Sequence, residues 1–169
     1  MLSVTALEVP PNLKRVPFDM CLFYEVTPRR GATVLAGDAL VPVCTPQLAE
    51  RMTSPARLLE VPCLTDAVWR EDWKTWTSAA FPDQSLTVDG PIYSLYAIAQ
   101  KEALNGAGVL IARKSLVDPL LTSGELVAPF DTTVTIPEKI TAWVHPSSQG
   151  TTETRALLAS MAELGPVEA

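Results

Sequence analysis

Two hydroxyl side chains stand where the sequence predicts helices to begin, and a helix start can bind an anion. Thr45 is followed by Pro46, which fits the first helical position, and Ser94 follows the turn DGPIY at residues 89–93. The first N–H groups of a helix have no acceptor within the helix, and the helix dipole favours negative charge there. If both helix starts face one cleft, they form a pocket for a carboxylate or another anion. Thr45 and Ser94 can equally serve only as N-caps, the commonest role of such hydroxyls.

Other reactive side chains are sparse, and they form no pattern typical of an enzyme or a metal site. The only histidine, His145, has no carboxylate or cysteine near it in sequence, although a partner could come from a distant part of the chain. Cys21, Cys44 and Cys63 are widely spaced and form no CxxC or Cys/His cluster. We therefore expect no catalytic residue, no metal and no cofactor, and three reduced, mostly buried thiols.

A tryptophan-rich stretch carries several carboxylates. Trp69, Trp73 and Trp76 lie near helical spacing, which is more typical of a buried stripe than of a ligand site. The acidic residues of this stretch are expected to be solvated: Asp66, Glu71 and Asp72.

Composition excludes two classes of partner. The chain has 169 residues, of which 47% are apolar, so it is long enough for one domain with a packed core. The net charge of −6 argues against nonspecific binding to a phosphate backbone, so we expect no DNA binding by this chain itself. The sequence has neither a membrane-spanning apolar run nor a signal peptide. We therefore expect a cytoplasmic location and no contact with a membrane.

Strand and helix patterns alternate along the chain, which predicts an α/β fold with mostly parallel sheets. A dense apolar run at 18–24 predicts a strand buried on both faces, and residues 32–44 predict a strand–turn–strand around Gly37. The other predicted strands are 3–9, 61–65, 85–89, 109–112, 126–130 and 139–145. The predicted helices begin at Pro46, Pro55 and Asp72 or span 93–104, 115–122 and 152–164. Extended chain near 42–46 and 130–137 predicts two crossings between layers.

Two glycines flank the strand predicted at 109–112. Gly106 should end the preceding helix in a left-handed conformation, and Gly108 should let the strand start close beneath that helix. The order here is helix to strand, whereas a phosphate-binding loop runs from strand to helix. Nucleotide binding is therefore not predicted.

An ordered set of short motifs resembles a known family. Residues 18–24, FDMCLFY, are similar to a family strand of the form FDxAIRYG, and residues 37–46, GDALVPVCTP, to a segment of the form DELxPVCSP. DWKTW at 72–76 resembles DWxxW. YSLY, GAGVLI, KSLV and SGELVAPF follow in the family's order between residues 93 and 130. The chain thus resembles the effector-binding domain of LysR-type transcriptional regulators, in particular the branch of the glycine-cleavage activator.

The resemblance implies an α/β fold of two Rossmann-like subdomains joined by two crossover strands, like a small type 2 periplasmic binding protein. Subdomain I would comprise residues 1–41 and 132–169, and subdomain II residues 47–128. The family's DNA-binding helix-turn-helix and the first strand–helix unit of subdomain I have no counterpart here, so subdomain I is expected to be truncated. In the full-length relative, DNA would be bound only through the helix-turn-helix domain, and a homodimer or higher oligomer is implied.

The resemblance also implies a small-molecule effector, such as an amino acid or a carboxylate, in a cleft between the subdomains. Thr45 and Ser94 would donate hydroxyl hydrogen bonds to it, and Tyr93 and Tyr96 would flank it. Tyr24 and Glu25 would lie opposite, where Glu25 would favour a cationic group unless it is a solvated rim residue. Arg113, at the carboxyl end of its strand, could clamp a carboxylate or point into solvent.

These features favour a ligand-sensing, non-enzymatic module of a transcriptional regulator. One alternative is a truncated regulator, or a stand-alone interaction or solute-binding module, that pairs with full-length partners. The other is an enzyme, which the lack of a catalytic constellation disfavours.

Overall fold

The computed structural model describes residues 2–7, 18–83 and 86–162. Its strands are β1 (Met20–Glu25), β2 (Thr33–Val43), β3 (Cys63–Asp66), β4 (Ile92–Tyr93), β5 (Val109–Arg113) and β6 (Val134–Val144). Its α-helices are α1 (Pro46–Ala49), α2 (Asp72–Ala80), α3 (Tyr96–Leu104), α4 (Lys114–Ser123) and α5 (Thr152–Ala162), and short 3₁₀ helices cover Pro55–Glu60 and Pro146–Ser148. The predicted α/β class is confirmed.

The chain divides into two compact units. Unit 1 comprises Met1–Asp38 and Ile136–Glu168, and unit 2 comprises Ala39–Thr135. The subdomain boundaries expected from the sequence, 1–41 with 132–169 and 47–128, stay a prediction.

Unit 2 is a four-stranded sheet in the order β2-β5-β3-β4. β3 runs parallel to both β4 and β5, whereas β2 is antiparallel to β5. The parallel strands are connected through helices, as the alternating pattern of the sequence predicts. Within the described part, the segment predicted as a strand at 126–130 contributes only one isolated bridge, between Val127 and Cys44.

The core of unit 2 forms where α3 and α4 cover one face of this sheet. Leu64 of β3 is paired with Leu110 of β5, so both side chains emerge on the same face. α3 presents the small residues Ala99 and Ala103 to that face, one helical turn apart, which allows the helix to lie close to the strands. The fully packed cluster comprises Val41, Val43, Leu64, Ala99, Ala103, Leu110, Ala112, Val117 and Leu126.

The two glycines before β5 act in different ways. Gly106 has φ +80°, and the N–H of Ala107 donates to the carbonyl of Glu102 at 3.0 Å, so the predicted left-handed helix end is confirmed. At Gly108 a Cβ would lie 2.1 Å from the carbonyl oxygen of Pro62. The close approach at Gly108 is therefore to the chain entering β3, and not to α3 as the sequence suggested.

Unit 1 contains a sheet in which β6 lies between β1 and β2. β1 pairs with β6 in antiparallel register from Met20↔Val144 to Glu25↔Lys139, and Leu22 is 42% exposed. The prediction of a strand buried on both faces was therefore wrong, because β1 lies at the sheet edge. β2 is one continuous strand through Gly37, so the predicted turn there was also wrong.

The strand predicted at 3–9 is not observed at 3–7, and residues 8–9 lie outside the described residues. α5 follows the predicted terminal helix as far as Ala162. Within the described residues, none of the helices has the length and apolar character needed to cross a bilayer.

The three cysteines are free and buried, as predicted. Burial raises the pKa of Cys44 to about 11 and, together with the nearby Asp89 charge, that of Cys63 to about 12. Burial also raises the pKa of Cys21. Because the thiolate is the nucleophile, these thiols should be inert in the folded protein.

We expect 5,5′-dithiobis(2-nitrobenzoate) at pH 8 to label none of the three thiols within minutes in buffer and all three in guanidinium chloride. Rapid labelling of one thiol in buffer, without loss of the circular dichroism signal, would contradict this burial.

Candidate functional site

Three strands of unit 2 end at one edge of the sheet. β3 ends at Asp66, β4 at Tyr93 and β5 at Arg113, and the three strands are parallel. Asp66 is paired with Tyr93 in the register, so Ser94 follows the end of β4 at the level where β3 also ends. We call this the carboxyl edge. Ligands of open α/β sheets bind at such edges.

The structure does not bring Thr45 and Ser94 together. β2 runs antiparallel to β5, with Leu40 opposite Arg113 and Val43 opposite Leu110. Thr45 therefore lies beyond the amino end of β5, near Gly106, whereas Ser94 follows the carboxyl edge. The two positions are separated by at least the length of β5, roughly 16 Å at about 3.3 Å per residue.

Thr45 serves as an N-cap. Its Oγ1 accepts a hydrogen bond from the N–H of Leu48 at 3.4 Å, and α1 is only four residues long. Thr45 also borders a surface depression of about 430 Å³, lined further by Gln47, Leu48, Arg51, Leu104, Asn105 and Gly106. The hydrogen bond from Leu48 explains the hydroxyl of Thr45 as a helix cap, without a ligand.

Ser94 is not a cap. α3 begins at Tyr96, its N-cap position is Leu95, and no side chain caps the helix. The helix starts later than predicted because Tyr93 belongs to β4, where its carbonyl accepts from the N–H of Ala67 at 2.8 Å. The strand predicted at 85–89 is not observed at 86–89, and residue 85 lies outside the described residues. Ser94 is exposed beside an uncapped helix start, so the alternative of a simple cap does not account for it.

Asp66 is the residue that sequence reasoning missed. It was expected to be solvated, but it is only 3% exposed. Its Oδ1 accepts hydrogen bonds from the N–H groups of Val68, at 2.8 Å, and Trp69, at 3.3 Å, whereas its Oδ2 is buried and has no hydrogen-bond partner. The available signal was its place directly after the predicted strand 61–65, at a carboxyl end.

Arg113, at the end of β5, is buried at the same edge and is held by Asp72 and Trp69. It is 1% exposed, which excludes the solvent-pointing alternative, and its Nε lies 3.3 Å from Oδ2 of Asp72. Its guanidinium carbon lies 4.2 Å from the ring centroid of Trp69, and Trp69 contacts Tyr96 edge-on at 5.6 Å. The ion pair and the cation–π contact therefore fix Arg113, Trp69 and Tyr96 as one layer along the carboxyl edge. Asp72, also expected to be solvated, is part of this layer.

A family comparison identifies the domain. The model of the LysR substrate binding domain matches residues 6–165. The chain belongs to this LysR family. It is an effector-binding domain with the two-subdomain, periplasmic-binding-protein-like α/β fold of that family.

Relatives of this LysR domain are transcriptional regulators. The chain is 32% identical over 130 residues to the regulator DsdC of Escherichia coli K12, covering 70% of this chain and 42% of DsdC. It is 31% identical over 118 residues to the glycine cleavage system transcriptional activator of the same strain, covering 67% of this chain and 38% of that protein. The chain thus spans about two fifths of the length of these relatives.

Solved LysR structures share the fold. The AmpR effector binding domain from Citrobacter freundii matches with a TM-score of 0.76 at 22% identity, over 94% of this chain and 80% of that one. The effector domain of AmpR of Pseudomonas aeruginosa matches with a TM-score of 0.72 at 23% identity, over 90% and 79%.

The two site residues predicted in unit 1 of this LysR domain have partners within unit 1. The Tyr24 hydroxyl donates to Oδ2 of Asp38 at 2.5 Å. The Glu25 carboxylate accepts from the Thr141 hydroxyl at 3.0 Å and from both the backbone N–H and the guanidinium of Arg29. Burial raises the pKa of Glu25, but these hydrogen bonds and the Arg29 charge outweigh it and hold the pKa below its usual value of 4.5. Glu25 is thus engaged without a ligand.

The lowered pKa of Glu25 predicts a contribution to acid stability. A carboxyl whose pKa is lower in the folded state stabilises the fold above its unfolded pKa and loses that contribution as the pH falls through the folded pKa. We expect urea unfolding between pH 6 and pH 3 to show a shallower loss of stability for Glu25→Gln than for wild type. Parallel plots of unfolding free energy against pH for wild type and Glu25→Gln would contradict the lowered pKa of Glu25. Glu60→Gln, at an exposed carboxylate, is the control and should follow wild type.

Proposed function

We propose that this LysR effector-binding domain senses a small carboxylate-bearing molecule at the carboxyl edge of unit 2. The residues assigned to the site are Tyr93 and Ser94 at the end of β4, Tyr96 at the start of α3, and the Arg113–Trp69 layer. Thr45 is left out because it lies at the opposite edge and caps α1. Tyr24 and Glu25 are left out because neighbours in unit 1 hold them.

The observation that carries the proposal is the uncapped start of α3 beside an exposed hydroxyl. The N-cap residue of α3, Leu95, makes no side-chain hydrogen bond to the first turn, and the N–H of Ile98 in that turn donates to the Leu95 carbonyl at 3.0 Å. A carboxylate at this end gains the favourable interaction with the helix dipole, the N–H of Ala97 as a donor, and a hydroxyl donor in Ser94. Arg113 favours the same ligand through its positive charge, although Asp72 neutralises much of it.

The domain acts in this proposal as a sensor and not as an enzyme. The Nδ1 atom of His145 accepts a hydrogen bond from the N–H of Ser147, so His145 caps a short 3₁₀ helix. This structural role explains the histidine without a catalytic role. Among the described residues, no group of three or more potential ligand side chains could hold a metal ion. His145→Ala should leave ligand binding unchanged.

The partners of the full-length protein are part of the same proposal. DNA would be bound through another region of the regulator, since this chain carries a net charge of −6. Homodimers or higher oligomers would form in the cytoplasm, and ligand binding would shift the population of their conformations.

A thermal-shift screen of amino acids and small carboxylates tests the proposal. A ligand at a hundredfold excess over its Kd stabilises by about 2.7 kcal/mol, which for a chain of this size raises the Tm by roughly 5–10 °C. We expect Ser94→Ala to reduce the shift by at least half. Thr45→Ala, a matched loss of a helix-start hydroxyl, should lower the basal Tm but leave the ligand-induced shift intact. The reverse pattern would overturn the assignment to the carboxyl edge.

A further inference from the structure

The buried carboxylate of Asp66 has one oxygen that accepts hydrogen bonds and one that accepts none. The N–H groups of Val68 and Trp69 donate to Oδ1, which fixes the turn after β3. Oδ2 is buried and accepts no hydrogen bond. Most buried polar atoms are satisfied, so an exception of this kind calls for a specific explanation.

An unsatisfied acceptor in this position is costly. A buried acceptor without a donor has lost its hydrogen bonds to water and gained none in return, and this loss is larger when the group is charged. No ion pair to Asp66 is formed within the described ranges, and Arg113, the cation at the end of β5, pairs with Asp72. A single N–H donor from outside the chain would satisfy Oδ2, and a cationic donor would satisfy it best.

Asp66 is also next to the anion-binding end of α3. The register pairs it with Tyr93, and neighbouring strands lie about 4.8 Å apart, so Ser94 is one residue beyond its partner. A site for negative charge and a site for positive charge are therefore adjacent on one edge of the sheet. An α-amino acid carries both charges on neighbouring atoms.

We propose that Asp66 receives the protonated amine of the effector, so that the effector is an amino acid and not a simple carboxylate. This inference rests on the proposed function, in which the start of α3 and Ser94 bind the carboxylate. Because Oδ2 is buried, the ammonium reaches it only after a local displacement of the atoms that cover it. The other carboxylate considered for a cationic group, Glu25, is already satisfied by Thr141 and Arg29.

Matched pairs of ligands separate the amine from the carboxylate. Isothermal titration is carried out with glycine and glycolate, alanine and lactate, and phenylalanine and phenyllactate, using both enantiomers where they exist. In at least one pair, wild type should bind the amino acid at least tenfold more tightly than the hydroxy acid. Asp66→Asn keeps an oxygen for the turn and removes the charge, so it should abolish this preference while the hydroxy acid affinity stays within threefold.

The fold of Asp66→Asn is checked by its thermal melt. If this variant does not fold, the test is whether wild type prefers the amino acid to the matching hydroxy acid. Equal binding of both members of every pair would overturn the inference, while sensitivity of that binding to Ser94→Ala would leave the proposed function standing. Binding of no member of any pair, together with no shift from any compound of the thermal-shift screen, would overturn both.

Discussion

Replacing Trp76 with alanine should cost about 3–5 kcal/mol of unfolding free energy, the largest loss expected for any single side chain of unit 2. Trp76 is 0% exposed and lies among Trp73, Phe81 and Phe130, with ring centroids 6.1, 5.4 and 5.6 Å away. Its Nε1 donates to the carbonyl of Thr132 at 3.0 Å, across 56 residues of sequence. Alanine would leave a cavity and would also leave the Thr132 carbonyl without its donor, and both effects destabilise the fold.

Urea unfolding followed by circular dichroism measures this loss, and Trp76→Phe is the matched control. Phenylalanine keeps one aromatic ring but removes the hydrogen bond and part of the buried ring system, so its cost should be about 1–3 kcal/mol, below that of alanine. A cost below about 1 kcal/mol for Trp76→Ala would contradict the buried aromatic cluster.

Gly108→Ala should destabilise the protein by about 3 kcal/mol, the upper part of the range for overpacking, and lower the Tm by roughly 6–12 °C. The added Cβ would lie 2.1 Å from the backbone oxygen of Pro62, and the N–H of Val109 donates to that same oxygen at 3.0 Å. The clash is with backbone, so relief requires β3 and β5 to separate where they are buried and parallel.

Gly124→Ala is the control for Gly108→Ala. Gly124 has φ +76°, and no atom lies within 4 Å of the place that an added Cβ would take, so alanine there meets only backbone strain of about 1–2 kcal/mol. Differential scanning calorimetry compares the two variants. A smaller loss of Tm for Gly108→Ala than for Gly124→Ala would show that the strands do not approach as described.

Features set by neighbouring residues could be predicted from the sequence. Thr45 before Pro46 predicted the capped start of α1, and Gly106 predicted a left-handed helix end, because a cap depends on the few residues around it. The burial of Trp73 and Trp76 followed from their helical spacing. The alternation of strand and helix patterns predicted the α/β class, and the family motifs implied the two-subdomain architecture.

Features set by distant strands could not be predicted. The direction of β2 against β5 places Thr45 and Ser94 at opposite edges, and no local pattern records it. The pairing of Tyr93 with Asp66 delays α3 to Tyr96 and leaves Ser94 outside the helix. Asp66, which looked solvated in the sequence, is buried where β3 pairs with the end of β4.

Ligand binding at the carboxyl edge of unit 2 is tested most directly by a ¹H–¹⁵N NMR titration with the amino acid or carboxylate that most raises the Tm. We expect the largest amide shifts at residues 66–69, 93–97 and 113, with little change near Thr45 and Gly106. Shifts concentrated at residues 45–51 and 104–106, or confined to unit 1, would contradict it.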